Sequence, residues 1–245
     1  MTRPLQTKPK TMIVTGASQG IGAGVTKAFL EHAYNVVASS RKITESEFAP
    51  SENLALVDGN IAEASTAAKI VETAMSRFGS IDAVVNNAGI FMTKRFIDFT
   101  DDDFQLLSDT NLLGYLHVTQ LAVKQMLAQK NGGSVISITA TLADHPIAGV
   151  NASVAMLTKA GLHGITRSLA LEYAKEGIRF NAVAPGTVDT PMHASNPKDS
   201  LKAFSPMGVV VAVDDIVDAV LYLTEARYVT GEVLHVDGGA HVGKW

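Results

Sequence analysis

The chain contains no cysteine, which removes disulfides, thiolate nucleophiles and sulfur-ligated metals from consideration. It contains no uninterrupted apolar run long enough to cross a bilayer. Residues 1–10 are polar and basic and include Pro4 and Pro9, where a signal peptide would need an apolar stretch. The expectation is a cytoplasmic protein with no membrane partner. Positive charge is not in excess either. The formal net charge is −4, which provides no footprint for nucleic acid. The histidines and carboxylates show no metal-ligand spacing, so no metal is expected. What remains is 245 residues at 47% hydrophobic and 18% charged, enough for one sizeable core, without a visible linker, repeat or low-complexity tract.

Short apolar runs alternate with longer segments of helical period. The pattern predicts strands over 11–15, 35–39, 54–57, 81–86, 134–139, 178–183 and 232–236. Helices are predicted over 20–32, 64–78, 151–175 and 214–224, with two more inside 101–129. Near-continuous apolar strands alternating with helices imply a parallel sheet covered on both faces. The expected fold class is therefore α/β: a single doubly wound, Rossmann-type domain of about seven strands over 11–245, after a flexible segment 1–10. The stretch 187–211 is irregular and predicts a substrate loop.

Between the first strand and first helix the chain reads Thr15-Gly16-Ala17-Ser18-Gln19-Gly20-Ile21-Gly22. Glycines there permit a tight turn and close approach of the backbone to a pyrophosphate, and the helix start aims free amides at its charge. Further on stand Asn86-Asn87-Ala88-Gly89, Thr110-Asn111-Leu112, Arg179-Phe180-Asn181-Ala182-Val183-Ala184-Pro185-Gly186, Thr190 and Val236-Asp237-Gly238-Gly239. Taken in order, these motifs resemble the short-chain dehydrogenase/reductase family over essentially the whole chain. The resemblance implies an oxidoreductase that binds a pyridine dinucleotide through Gly16, Ser18, Gln19, Gly20, Ile21 and Gly22. It extends that site to Asn60, Ile61, Asn87, Ala88, Gly89, Lys159, Pro185, Gly186, Val188 and Thr190. It also implies a homodimer or homotetramer built on the long helices near 114–130 and 152–175, with Trp245 either buried at such a contact or frayed.

The choice of dinucleotide rests on the end of the second strand. An acidic residue there would grip the ribose hydroxyls of NAD; this chain has Ser39-Ser40-Arg41-Lys42. Two hydroxyls and two cations suit a 2′-phosphate, so NADP is expected, with NAD possible. The alternative is that the two cations are ordinary solvated charges. Where the family has aspartate near adenine, this chain has Asn60, whose amide can still accept a hydrogen bond.

The family's proton shuttle is a tyrosine four residues before a lysine, one helical turn apart. Lys159 is present, but its partner position is Ala155, and no tyrosine lies between Tyr115 and Tyr173. The family's serine falls on Ala140 counted from the fifth strand, or near Leu142 counted back from Lys159. Thr141 is the preferred substitute donor; alternatively Thr139 and Thr141 merely finish the strand. The expected catalytic set is Asn111, Thr141 and Lys159. His145 beside Asp144 is a candidate acid, against the alternative of a surface histidine in a proline turn, and His193 is a weaker one. Ile147, Val150, Val188, Met192, Phe204 and Met207 are expected to wall an apolar pocket for a small substrate. On this reading Ala155→Tyr should raise carbonyl reduction. The leading expectation is hydride transfer to a small apolar carbonyl, imine or activated double bond by a mechanism without the tyrosine. The rivals are an inactive NADP-binding sensor or partner subunit, and a non-redox lyase or isomerase.

Overall fold

The computed structural model describes residues 8–243. Trp245 and most of the segment expected to be flexible lie outside the described residues. Seven strands form one parallel sheet: β1 (Thr11–Thr15), β2 (Asn35–Ser40), β3 (Leu54–Asp58), β4 (Ala83–Asn86), β5 (Gly133–Ile138), β6 (Ile178–Pro185) and β7 (Val233–Val236). Their order is β3-β2-β1-β4-β5-β6-β7. The order reverses between β1 and β4, the place where an open parallel sheet opens a crevice at its carboxyl edge.

The apolar runs are near-continuous because each strand feeds two cores. Met12 and Val14 of β1 face α1 (Gly20–Glu31) and α7 (Val213–Glu225), packing with Phe29, Ile216 and Val220. Ile13, between them, joins the opposite core with Ile70 of α2 (Ala64–Arg77) and Val118 and Met126 of α4 (Gly114–Gln129). The period-two alternation of a strand sends neighbours to opposite faces. The expected fold class is the observed one.

Three local departures have physical causes. β4 begins at Ala83, two residues later than the apolar run suggests. Ile81 is bonded through its N–H and carbonyl to the Gln129 side chain, and the Asp82 carboxylate accepts from Thr11 N and Ser80 Oγ. The predicted helix pair in 101–129 is a nearly continuous rod: α3 (Asp101–Ser108), a π-helical turn (Asp109–Leu113), then α4. The loop after β6 is pinned at its base by the Val188↔Val211 bridge and holds only the short α6 (Lys198–Lys202). The long helix α5 (Ser153–Glu172) packs against β6.

Phe180, 1% exposed on β6, is among the largest side chains in the second core. Phe180→Ala should lower the unfolding free energy by about 3–5 kcal/mol, read from the urea midpoint. A loss below about 1 kcal/mol would mean that this face of the sheet is not tightly packed.

Candidate active site

The glycine turn is shaped from outside itself. Gly16 and Gly20 adopt φ of 66° and 56°, open to glycine at little cost. The Asn87 side-chain amide donates to the carbonyls of Thr15 and Gly16, each at 3.0 Å. In return Thr15 Oγ1 accepts from the backbone N–H groups of Asn87 and Ala88, each at 3.1 Å. A Cβ on Gly22 would lie 2.3 Å from the Gly16 carbonyl oxygen and 2.6 Å from Asn87 Nδ2, so helix α1 reaches this position only with glycine. Gln19, at the helix N-cap, makes no side-chain capping bond. The first amides of α1 are therefore left for an anion. Thr190 closes over the turn, with its Cβ 3.3 Å from where a Gly20 side chain would start.

At the end of β2, Ser39 is buried and the Ser40 hydroxyl is buried without a hydrogen-bond partner among the described residues. Lys42 pairs with Glu45 at 3.1 Å, while Arg41 makes no ion pair or side-chain hydrogen bond among the described residues. Asn60 Oδ1 accepts from Ala62 N at 3.2 Å, which bends the chain after β3. Ile61 is buried against Gly114. Pro185 is buried at the end of β6, and a Cβ on Gly186 would lie 2.8 Å from the Asp237 backbone. Val188 is buried in the core, whereas Met192 and Met207 are exposed.

Asn111 sits in the π-helical turn, a distortion often found at functional sites. Both of its amide hydrogens are engaged, with the Ile90 carbonyl at 3.1 Å and Thr158 Oγ1 at 2.9 Å, and its Oδ1 accepts from Ile90 N at 2.9 Å. It braces the segment after β4 against α5. Lys159 is part-buried and donates from Nζ to the Ile138 carbonyl at 2.8 Å. Nζ and Asn111 Oδ1 lie 3.1 and 3.2 Å from the point where a Gly89 side chain would begin, so any larger residue there would have to push both side chains aside. Burial pulls the Lys159 ammonium down to about 8.

Two groups expected near the chemistry have other partners in the structure. Thr141, 2% exposed, turns its hydroxyl to Asp237 at 2.8 Å and the Ala184 carbonyl at 3.1 Å, which ties the loop down. Asp144 does not face His145. Its carboxylate stands 2.9 Å from His163 Nδ1 and 3.6 Å from His235 Nε2. The ring of His145 instead meets those of His235 and His241, at centroid distances of 5.8 and 5.9 Å. Burial pushes Asp237 up, but hydrogen bonds from His241, Thr141 and Gly239 outweigh it and hold the carboxyl below its ordinary value. His235 is held below its usual range by burial, then by neighbouring His241. Thr139 is likewise committed, to the Val183 carbonyl and to His163 Nε2 at 2.7 Å. The bracing roles of Thr15, Thr158, His163 and Asp237 had no local signal in the sequence, because each acts on a distant segment. His193 lies in the turn Pro191–His193 of the loop after β6. Among the described residues no helix is long and apolar enough to cross a membrane, and no group of His, Asp or Glu converges as a metal site.

The chain that carries this arrangement is similar to known proteins. A family model described as Enoyl-(Acyl carrier protein) reductase matches residues 16–241. The chain belongs to the short-chain dehydrogenase/reductase family, whose members are NAD(P)-dependent oxidoreductases. It is 32% identical to oxidoreductase UcpA of Escherichia coli K12, covering 94% of both chains. It is 34% identical to an L-rhamnose 1-dehydrogenase (NAD(P)(+)) of a Sphingomonas species, covering 95% of this chain and 96% of that one. Among solved structures, ElxO with NADP bound superposes with a TM-score of 0.86 at 26% identity, over 96% of this chain and 100% of that one. A 3-ketoacyl-(acyl-carrier-protein) reductase of Brucella melitensis complexed with NADH also gives 0.86 at 26%, over 95% and 98%.

The space beside Ala155 is not a simple vacancy. Ala155 is 1% exposed and packs with Leu107 and Val154, under Ile90, Met92, Phe99 and Met156. Contrary to the expectation from sequence, Ala155→Tyr should therefore overpack this cluster, lowering stability by about 1–3 kcal/mol in urea melts without raising carbonyl reduction. A gain in carbonyl turnover at unchanged stability would show that the cluster yields to a phenol.

Proposed function

We propose that this protein is an NADP(H)-dependent oxidoreductase acting on a small apolar carbonyl, imine or activated double bond without a catalytic tyrosine. The observation that carries the reading is the Asn87 clamp on the Gly16–Gly22 turn. It holds the uncapped start of α1 open to a pyrophosphate beside a lysine that has no counter-charge. When bound, the dinucleotide supplies the hydride. The chain's own contribution is positional: Gly16, Ser18, Gln19, Gly20, Ile21 and Gly22 present backbone to the phosphates, and Asn87, Ala88, Gly89, Lys159, Pro185, Gly186, Val188 and Thr190 border the nicotinamide end. Holding donor and acceptor together accounts for more of such a rate than acid–base assistance does. Loss of the tyrosine therefore weighs against ketones far more than against iminium ions, which need no proton on oxygen.

Arg41, free of protein partners among the described residues, and the Ser39 and Ser40 hydroxyls support NADP over NAD. Asn60 and Ile61 would border the adenine. The named relatives point both ways, since one solved neighbour holds NADP and another NADH. Exposed Leu157 and Leu171 on α5, at 61% and 83%, support a homodimer or homotetramer. A sensor or partner subunit that binds NADP without turnover would use the same cradle. Purified protein mixed with NADPH should shift its fluorescence, and consumption of NADPH against a panel of imines, quinones and carbonyls separates enzyme from sensor. No binding of either dinucleotide would leave only a non-redox use of the fold. Arg41→Ala should weaken NADPH binding by about tenfold or more and leave NADH binding unchanged, because only the 2′-phosphate meets the guanidinium. Equal effects on both would place Arg41 outside the site.

A further inference from the structure

The loop after β5 leaves the carboxyl edge of the sheet, where an open parallel sheet forms its crevice. From residue 142 to residue 150 every backbone hydrogen bond among the described residues is local, to a partner within 140–152. Side chains tie this stretch to the rest of the molecule, and among the described residues Asp144 carries its only ion pairs. One carboxylate oxygen of Asp144 lies 2.9 Å from Nδ1 of His163 on α5 and 3.6 Å from Nε2 of His235 on β7.

The protons of His163 follow from its partners. Thr139 has a single hydroxyl hydrogen and donates it to the Val183 carbonyl at 3.1 Å, which can only accept. The 2.7 Å contact between Thr139 Oγ1 and His163 Nε2 is therefore donated by the ring. A neutral imidazole with its hydrogen on Nε2 has a bare lone pair on Nδ1. That lone pair would face the Asp144 carboxylate at 2.9 Å, acceptor against acceptor, on a residue 2% exposed. The approach is bent, and Nδ1 has no other partner among the described residues, so charge more than a directed bond must hold the contact. Only a second proton, on Nδ1, makes it attractive.

We propose that the loop after β5 is latched to α5 by this proton: the His163 imidazolium, paired with Asp144, holds segment 141–150 in place, and loss of the proton as pH rises frees it. The latch does not depend on the oxidoreductase reading. The other titratable groups around the pair are engaged elsewhere. His145, on the loop itself, lays its ring against those of His235 and His241. On β7, His235 is held below its usual range by burial and then by His241, so it adds no second cation at neutral pH. Past β7, His241 and Asp237 meet at 3.0 Å, and Asp237 also takes the Thr141 hydroxyl. Lys159, one turn before His163 on α5, donates to the Ile138 carbonyl. The sign is that of a histidine gaining a carboxylate: the hold is present while the ring is charged and is lost on the alkaline side of its titration.

The test uses the full-length protein across about pH 5.5–9. Nitrogen-15 NMR of the His163 ring should show both nitrogens protonated on the acid side and one on the alkaline side. The amides of Ala143, Asp144 and His145 close the turn onto Ala140 and Thr141. Their hydrogen exchange, corrected for its intrinsic pH dependence and referred to α1, should quicken by about tenfold or more at the same midpoint. Asp144→Asn supplies an amide N–H that a neutral Nδ1 can accept, so its loop should stay protected with no step through this range. Asp144→Ala, at the surface, should leave the three amides unprotected throughout. A neutral His163 ring beside a protected loop, exchange without a step at the His163 midpoint, or a step that survives in Asp144→Asn would overturn the latch.

Discussion

The side-chain amide of Asn87 is the constraint on which the rest of the site depends. By donating to the carbonyls of Thr15 and Gly16 it joins the end of β4 to the end of β1 across the point where the sheet order reverses. That junction fixes the unusual backbone at Gly16, forces α1 to approach so closely that only Gly22 fits, and aims the helix start into the crevice. The same short segment continues to Ile90, whose N–H and carbonyl are taken by Asn111, and Asn111 in turn reaches Thr158, next to Lys159. The glycine turn and Lys159 are thus joined through the Asn87 and Asn111 side chains and the short stretches of main chain between their partners. A loss of strength at Asn87 would be felt at both.

A second set of bonds does for the loop after β5 what Asn87 does for the glycine turn. Asp237 gathers Thr141, Gly239 and His241, and Asp144 stands against His163 and His235. Together they fasten the loop after β5 to β7 and α5. The Thr141 hydroxyl and the Asp144 carboxylate are taken up in this fastening. Buried polar groups have to be paired, and the nearest pairing partners here are structural.

What the sequence revealed and what it hid divide along this line. The strands were readable because runs such as Met12-Ile13-Val14 must be apolar on two faces, a property carried by adjacent residues. The glycine turn was readable because its backbone conformation demands particular residues at fixed spacing. The direction of a hydroxyl was not. Thr141 takes its bearing from Asp237, 96 residues later, and Thr139 from His163, 24 residues later. The π-helical turn was hidden too, since the apolar period of 101–129 reads through it almost unbroken. The start of β4 was misplaced because the Gln129 side chain, not a neighbouring strand, satisfies the backbone of Ile81.

The pattern of what is lost and what is retained argues that this site is altered rather than decayed. A site under no functional demand would shed its most costly group first, and here that is an ammonium drawn from water with no carboxylate beside it. Such a group is replaced by an apolar side chain at no loss of stability, and often at a gain. This chain instead has the lysine, has the asparagine that holds the adjoining segment, and packs Ala155 in a cluster with Leu107 and Val154. Burial holds the Lys159 ammonium below its ordinary value, and Asn111 fixes the segment beside it through Ile90.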